Sequence, residues 1–571
     1  MEEDMIMNTD KESCRILVSL LEKQGVRDAV VSPGSRNAPL MMALNASGAI
    51  RTTIVIDERS AAFIALGKAS VTGDPVVLVC TSGTALLNYA PAVAEAYYRK
   101  IPLIVVSADR PMEWIDQDDS QTLRQYEALA NYVKGNYNIP ADCSSPTIQW
   151  YVNRMVNDAM ISAMSGRQAP VHINIQLDAP LGGISPSNST RWTCRTITTT
   201  SPDATLSKTD AEALAAIVAG SSRVLVIAGF HSPDMRLREA LRRLSASGNV
   251  VVMTETISNV MSTDFINDID SVISTIGPKE LDSLCPDVVI TFGGAIVSRF
   301  IKQYLRKVSP REHWHVGLSD TTIDCFQSLT RRIEMDATPF FEDLTTAIGK
   351  IEVSGNRSTY HDDWMDKARA AKEIHENYLV SAPWSDLRAV HALMQAIPEG
   401  AALQLSNGTS VRYAQLFPAL QCLRSDSNRG VSGIDGSTST AIGAASAFPE
   451  RMTLLLTGDM SAQYDVGALA APCIPATFRM AVLCNGGGGI FRFIDATRSM
   501  PILDRFLVAE RPFPLRELAE AYGFEYMEVS SETALMDALP RFFSPSPRPI
   551  ILAIHTSGEL SATVLRDYLR M

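Results

Sequence analysis

The sequence has no apolar run of the ~20 residues that a helix needs to cross a bilayer, so no membrane insertion is expected. Its first 13 residues, MEEDMIMNTDKES, are acidic and have no apolar stretch, so they do not read as a secretory signal. Nine cysteines are scattered from Cys14 to Cys484 without a CxxC pair. An odd, dispersed set without a signal predicts reduced thiols and a cytoplasmic location, with the cysteines serving as small buried apolar groups. Basic residues are in the minority: 51 Lys and Arg face 63 Asp and Glu, for a net charge of −12. Nucleic acid is therefore not expected as a partner, whereas small anions respond to local arginines and remain compatible. No GxGxxG follows a strand-like run and no GxxxxGK[ST] occurs, which argues against nicotinamide-dinucleotide and nucleoside-triphosphate motifs. His313 and His315 have no acidic or cysteine partner at ligand spacing, so they read as core or surface residues and not as a zinc pair.

What the chain does have is a regular alternation of β-branched runs and longer helical patterns, which predicts an α/β protein with parallel sheets. At about 100–200 residues per domain, 571 residues predict three domains. In the first third the runs end in small or polar residues: 30–31 before SPGS, 53–56 before DERS, Val76–Cys80 before TSGT, and 103–106 before SADRP. Gly34, Glu58, Ser82 and Ser107 mark these ends at steps of 24, 24 and 25 residues. In the last third Asn407, Arg429, Asp459 and Asn485 mark a comparable rhythm, with steps of 22, 30 and 26. Strand-plus-helix units have this length, so two similar domains at the two ends are expected. The middle third has its own strands at Val224–Ala228, 250–254 and Val288–Phe292. Polar linkers at 183–208 and 350–362 bound it. The expected architecture is three doubly wound parallel-sheet domains at 1–185, 205–350 and 360–571.

The densest chemistry lies in the last third. Residues 454–458 form an apolar run ending in Gly458-Asp459, and 480–484 form a second run followed by Asn485 and four glycines. Ligands of doubly wound sheets bind beyond the carboxyl ends of strands. Asp459 and Asn485 stand at two such ends, one crossover apart, and both offer hard oxygen of the kind Mg²⁺ prefers. Residues 486–489 let backbone approach a ligand closely, and the helix start after them favours phosphate. Two readings stay open on these residues alone: a metal–diphosphate site, or an ordinary strand-end turn followed by a flexible loop.

This region resembles the diphosphate-binding motif of thiamine-diphosphate enzymes, a Gly-Asp pair followed at similar distance by Asn-Asn; here Cys484 stands in the first Asn position. Further stretches narrow the resemblance: VSPGSRNAPL (31–40), DERSAAFIALGKA (57–69), TSGTALLNYAPAVAEA (81–96), SADRP (107–111) and SNRGVSGIDG (427–436). Together they are similar to the 2-succinyl-5-enolpyruvyl-6-hydroxy-3-cyclohexene-1-carboxylate synthases of menaquinone biosynthesis. The likeness runs through all three thirds. It implies a transferase that decarboxylates 2-oxoglutarate and adds the succinyl carbanion equivalent to isochorismate in a 1,4 fashion. Its implied cofactors are thiamine diphosphate and Mg²⁺, with Mn²⁺ able to substitute.

The resemblance also implies roles for individual residues. Glu58 shares its proton with the pyrimidine ring from a dry pocket, which favours the neutral acid; taken alone it is an ordinary helix-opening glutamate. Asp459, Asn485 and the Gly487 carbonyl are the metal ligands. Ser82, Gly83, Ile434, Gly458, Met460, Ser461, Gly488, Ile490 and Phe491 line the cofactor, with Ile434 propping its bent shape. Ser35, Arg36, Arg110, Gln121, Arg299, Arg412 and Arg429 meet substrate, and Phe491 and Ile494 add an apolar wall. Guanidinium groups suit carboxylated substrates. Departures from the pattern are Ser120 before Gln121, Arg299 for Lys, Phe300 at a position that can be basic, and Gly408 for Ser in SNGTSVR (406–412). A homodimer or homotetramer is implied, with each site shared between the Glu58 region of one subunit and the diphosphate region of another. The alternatives are another thiamine carboligase or 2-oxo-acid decarboxylase resembling acetolactate synthase, and a non-catalytic nucleotide-binding regulator.

Overall fold

Valine, leucine and isoleucine runs build three parallel sheets. The computed structural model describes residues 7–185, 192–200, 204–351 and 358–571. The two linkers therefore lie partly outside the described residues. The first sheet comprises β1 (Asp28–Val31), β2 (Arg51–Ile54), β3 (Val76–Cys80), β4 (Leu103–Asp109), β5 (Asn136–Ile139) and β6 (Val171–Gln176), in the order β2-β1-β3-β4-β6-β5. The second comprises β7 (Val224–Ala228), β8 (Val250–Met253), β9 (Val288–Phe292), β10 (Glu312–Val316) and β11 (Arg331–Ile333), in the order β8-β7-β9-β10-β11. The third comprises β12 (Ala402–Leu405), β13 (Arg424–Ser427), β14 (Thr453–Gly458), β15 (Phe478–Cys484), β16 (Glu525–Val529) and β17 (Ile550–His555), in the order β13-β12-β14-β15-β17-β16.

The first and third sheets share one topology, since each runs second, first, third, fourth, sixth, fifth strand. The order reverses between first and third strands, β1/β3 in one sheet and β12/β14 in the other. Doubly wound sheets open a ligand crevice at the carboxyl ends of such a pair. β3, β4, β7 and β9 are buried along their whole length. Helices covering both faces account for the unbroken apolar character of β3 and β7.

Two strand limits differ from expectation. The run at 53–56 does not carry a strand up to Glu58: β2 is Arg51–Ile54, an edge strand with mostly exposed residues. Asp57 instead caps the next helix, its carboxylate accepting from Arg59 N and Ser60 N. β4 continues past residue 106 to Asp109, so Ser107 lies inside the strand. The polar end of β4 is buried because it is satisfied: Ser107 Oγ lies 2.8 Å from His172 Nε2, and Asn174 Nδ2 donates to Asp109 Oδ2 at 2.9 Å.

The chain forms two compact units. One contains residues 1–201, 430–450 and 464–478; the other contains 202–429, 451–463 and 479–571. In the first, helices Glu58–Thr72 and Ser437–Ala447 meet through glycine: a Cβ on Gly67 would lie 2.0 Å from Thr440 O, and one on Gly443 would lie 2.1 Å from Ile64 O. In the second, Ile257 and Val297 from loops of the middle sheet join the apolar core of the third sheet, with Leu403, Leu454 and Ala481. His313 and His315 both face Thr291 Oγ1, at 3.1 and 3.0 Å, as buried core residues. Among the described residues no helix is long and apolar enough to cross a membrane.

Candidate active site

In the second unit, β14 ends at Gly458 and Asp459 opens the helix Asp459–Tyr464. The neighbouring β15 ends at Cys484, and Asn485 leads into the glycine loop and the helix Gly489–Phe493. Asp459 ties these strand ends together. Its Oδ1 accepts from Met460 N at 2.7 Å, and its Oδ2 accepts from Gly486 N at 3.0 Å and Gly487 N at 3.1 Å. Burial raises its pKa, while the backbone N–H groups pull it back toward the charged form. Gly486 and Gly487 have φ of +87° and +108°, and a Cβ on Gly487 would lie 2.4 Å from Val508 O. The loop therefore needs glycine for its conformation as well as for close approach. At Gly458 a Cβ would meet nothing within 4 Å, so the strand end faces open space.

Asp459, Asn485 and Gly486 share the wall of a cavity of about 520 Å³ with Arg492, Arg511 and His555. Across the switch point, Ser406 Oγ donates to Ser461 Oγ at 2.9 Å, which links the end of β12 to the Asp459 helix. Asn407, buried beside it, donates to Asn428 O at 2.6 Å and accepts from Arg429 Nη1 at 2.9 Å. A carboxylate, an amide and backbone carbonyls give an oxygen-only donor set that suits Mg²⁺ or Mn²⁺; the Gly487 carbonyl also accepts from Gly489 N at 2.6 Å. No group of three His, Cys, Asp or Glu occurs among the described residues. A cation at Asp459 and Asn485 thus needs further oxygens, which a diphosphate has.

The same unit gathers basic side chains. Burial depresses the Arg412 pKa, and Arg429 and Arg299 depress it further, while Asp270 and Glu255 oppose them. Burial likewise depresses Lys302, with Glu255 raising it and Arg429 and Arg412 lowering it. Arg299 and Arg429 are thus each within electrostatic reach of Arg412, as one anion-binding site requires. Lys302 was not anticipated; its signal is its place one turn after Arg299 on the helix Arg299–Val308. Glu255, 2 % exposed, accepts from Val297 N at 2.8 Å and Ser298 N at 2.6 Å and so fixes the loop that launches this helix.

The first unit holds Ser35, Arg36, Glu58, Ser82, Gly83, Arg110, Gln121 and Ile434, whereas Gly488, Ile490, Phe491 and Ile494 belong to the second. Glu58 opens its helix and is half-buried, not enclosed in a dry pocket within one chain; its charge reaches Cys80 and Tyr89, whose ionisation it opposes. Ser82 and Gly83 follow β3 at the switch point. Gln121 Nε2 donates to Ser82 O at 3.0 Å, and Gly83 N donates to Gln125 Oε1 at 2.7 Å. Gln125, buried and unanticipated, also donates to Ala108 O at 3.1 Å. Ser35 is exposed. Arg36 donates to Leu177 O at 2.9 Å; burial and then Arg110 lower its pKa, so these two arginines lie close. Arg110 pairs with Asp119. Ile434 is half-buried in a loop whose start is held by Glu95, also unanticipated: its carboxylate accepts from Gly430 N at 2.7 Å and Val431 N at 2.6 Å.

A family profile described as thiamine pyrophosphate enzyme, N-terminal TPP binding domain, matches residues 13–128. A 2-succinyl-5-enolpyruvyl-6-hydroxy-3-cyclohexene-1-carboxylate synthase of Porphyromonas gingivalis is 39% identical over 564 residues, covering 98% of this chain and 97% of that protein. Synthases of the same name from Cytophaga hutchinsonii and Bacteroides fragilis are 36% and 34% identical, covering 96% and 98% of this chain and 97% and 99% of those proteins. The chain belongs to this synthase family. It is an enzyme of α/β fold, a thiamine-diphosphate-dependent transferase.

The match to the thiamine pyrophosphate enzyme N-terminal domain spans Ser35, Arg36, Glu58, Ser82, Gly83, Arg110 and Gln121. Among the departures from the synthase pattern, Gly408 has φ of +91°, where a side chain would be strained, and a Cβ there would meet nothing within 4 Å. The lost hydroxyl is thus exchanged for a tight turn into the helix Ser410–Ala414, which carries Arg412. Phe300 packs against the apolar core of the middle sheet and contributes no charge. Arg299 is exposed at the first turn of its helix.

Proposed function

We propose that this protein, like the synthases it matches, converts 2-oxoglutarate and isochorismate to 2-succinyl-5-enolpyruvyl-6-hydroxy-3-cyclohexene-1-carboxylate and carbon dioxide in menaquinone biosynthesis. The observation that carries this reading is the grouping of Arg299, Lys302, Arg412 and Arg429 in the unit that contains the Asp459–Asn485 strand ends. Substrates with several carboxylates need such a cluster. Thiamine diphosphate, when bound, would supply the carbon nucleophile needed for decarboxylation of the 2-oxo acid and for transfer of the remaining four carbons to isochorismate.

The chain's own residues do the rest. Asp459, Asn485 and the Gly487 carbonyl hold Mg²⁺, or Mn²⁺ in its place, against the diphosphate. Gly458, Met460, Ser461 and Gly488 line that end, and Ser82, Gly83 and Ile434 line the ring end. Glu58 holds a proton at a pyrimidine nitrogen. Arg299, Arg412 and Arg429 bind substrate carboxylates, with Lys302 adding charge. Ser35, Arg36, Arg110 and Gln121 receive isochorismate, which requires Arg110 to exchange Asp119 for substrate. Ile490, Phe491 and Ile494 exclude water from the reacting carbon. The three working segments are 1–185, 205–350 and 360–571, and the enzyme acts in the cytoplasm as a homodimer or homotetramer with shared sites.

The test is an assay with isochorismate, 2-oxoglutarate, thiamine diphosphate and Mg²⁺, following the product by mass. A product lacking one carbon dioxide relative to the summed substrates is expected. Release of carbon dioxide from pyruvate but not from 2-oxoglutarate would overturn the assignment in favour of an acetolactate-synthase-like enzyme.

A further inference from the structure

Asp386 lies far from any motif, 99 residues before Asn485. It opens the helix Asp386–Ala396 after Ser385 and is 1 % exposed. Its Oδ2 accepts from Asn485 Nδ2 at 2.7 Å and its Oδ1 from Thr556 Oγ1 at 2.5 Å. Its backbone N–H donates to Ser561 Oγ at 3.0 Å. Thr556 closes a ring, because its own N–H donates to Cys484 O at 3.2 Å, the carbonyl just before Asn485. The carboxylate is therefore held from two sides while it grips the amide.

An ionised carboxylate only accepts hydrogen bonds, so the group facing Asp386 must be the amide N–H₂ and not the amide oxygen. Asn485 Oδ1 is then turned to the other side of the amide. An unheld asparagine can rotate by half a turn and present N–H₂ to a cation, which repels it. The donated hydrogen bond also draws electron density toward Oδ1 and makes it a better ligand. We propose that Asp386 is a positioning residue that locks the Asn485 amide with its oxygen toward the divalent cation. This rests on the metal site of the proposed function and assigns the device that makes one of its ligands an oxygen donor. Asp386 holds the N–H₂ side of the amide, opposite Oδ1, so it orients a ligand and is not itself one.

The experiment measures Mn²⁺ affinity of the full-length protein by electron paramagnetic resonance in the presence of thiamine diphosphate, with thermal midpoints alongside. D386A is expected to weaken Mn²⁺ by about 10–100-fold, the usual range for loss of an outer-shell partner. D386N keeps the shape but offers an ambiguous amide, and is expected to weaken Mn²⁺ about tenfold, which preserves the test if D386A folds poorly. Because Asp386 acts through Asn485, the D386A/N485A double variant should bind Mn²⁺ no more weakly than N485A alone. Wild-type-like affinity in both Asp386 variants, or additive losses in the double variant, would overturn the inference while leaving the metal site intact. Absence of Mn²⁺ binding by the wild-type protein would instead overturn the metal site and the inference with it.

Discussion

A glutamate that must share a proton with a ring nitrogen is tested by removing the proton and keeping the shape. Glu58→Gln should leave thiamine diphosphate binding by calorimetry within a few-fold of wild type and lower turnover by at least about 100-fold, the range of acid–base catalysis. Turnover like wild type would remove Glu58 from the mechanism. Glu255 is a different case. It is fully buried and its pKa is pushed up to about 7, mainly by burial, with Asp270 raising it and the Val297 and Ser298 N–H groups and Lys302 lowering it. Below about pH 4.5 the group is neutral in both folded and unfolded states. As pH rises through the window from 4.5 to 7, the unfolded chain releases the proton first, so stability falls; above about 7 the loss is complete. The window corresponds to roughly 3 kcal/mol by linkage. Urea unfolding of wild type and Glu255→Gln at pH 5 and pH 8 should show the variant spared that loss, and parallel pH profiles would refute it. Glu255 and Asp386 share a reason for escaping sequence reading. They act through buried hydrogen bonds or charge contacts to residues distant along the chain, and no local spacing signals them. Asp459 and Asn485 were legible because each follows a strand inside a dense motif, and Arg36, Arg110, Arg412 and Arg429 because they lie within such motifs.

At the scale of elements, a glycine in a helix costs about 1 kcal/mol relative to alanine, so a helical Gly→Ala change ordinarily stabilises. Gly443 should reverse that sign. Its added methyl would lie 2.1 Å from Ile64 O, in the backbone of the helix that Glu58 opens. Gly443→Ala is expected to destabilise the first unit by about 1–3 kcal/mol, the cost of overpacking, read as a lower thermal midpoint. A higher midpoint would mean the helices separate without penalty. This contact was invisible in the sequence because pairing of residues 64 and 443 leaves no periodic trace. The sheets were far more legible. Strands buried on both faces, such as β3, β7 and β9, appear as continuous aliphatic runs at near-constant steps. Edge strand β2 was displaced because its exposed residues carry no burial pattern, and β4 was cut short because satisfied polar groups mimic a strand end.

At the scale of the whole molecule, Glu58 belongs to one compact unit and Asp459 to the other. If each site combines Glu58 of one subunit with Asp459 of another, the two residues of any one chain serve different sites. In a heterodimer of Glu58→Gln and Asp459→Ala chains, one site then receives both substitutions and the second receives neither. Each homodimeric variant should be nearly inactive, because every site carries one defect. The heterodimer, isolated after co-expression with two different tags, should recover about half the wild-type activity, one intact site of two. If both residues came from a single chain, every site of the heterodimer would keep one defect and no recovery would occur. The readout needs no structure of the interface, and it separates a shared site from a self-contained one by the presence or absence of turnover.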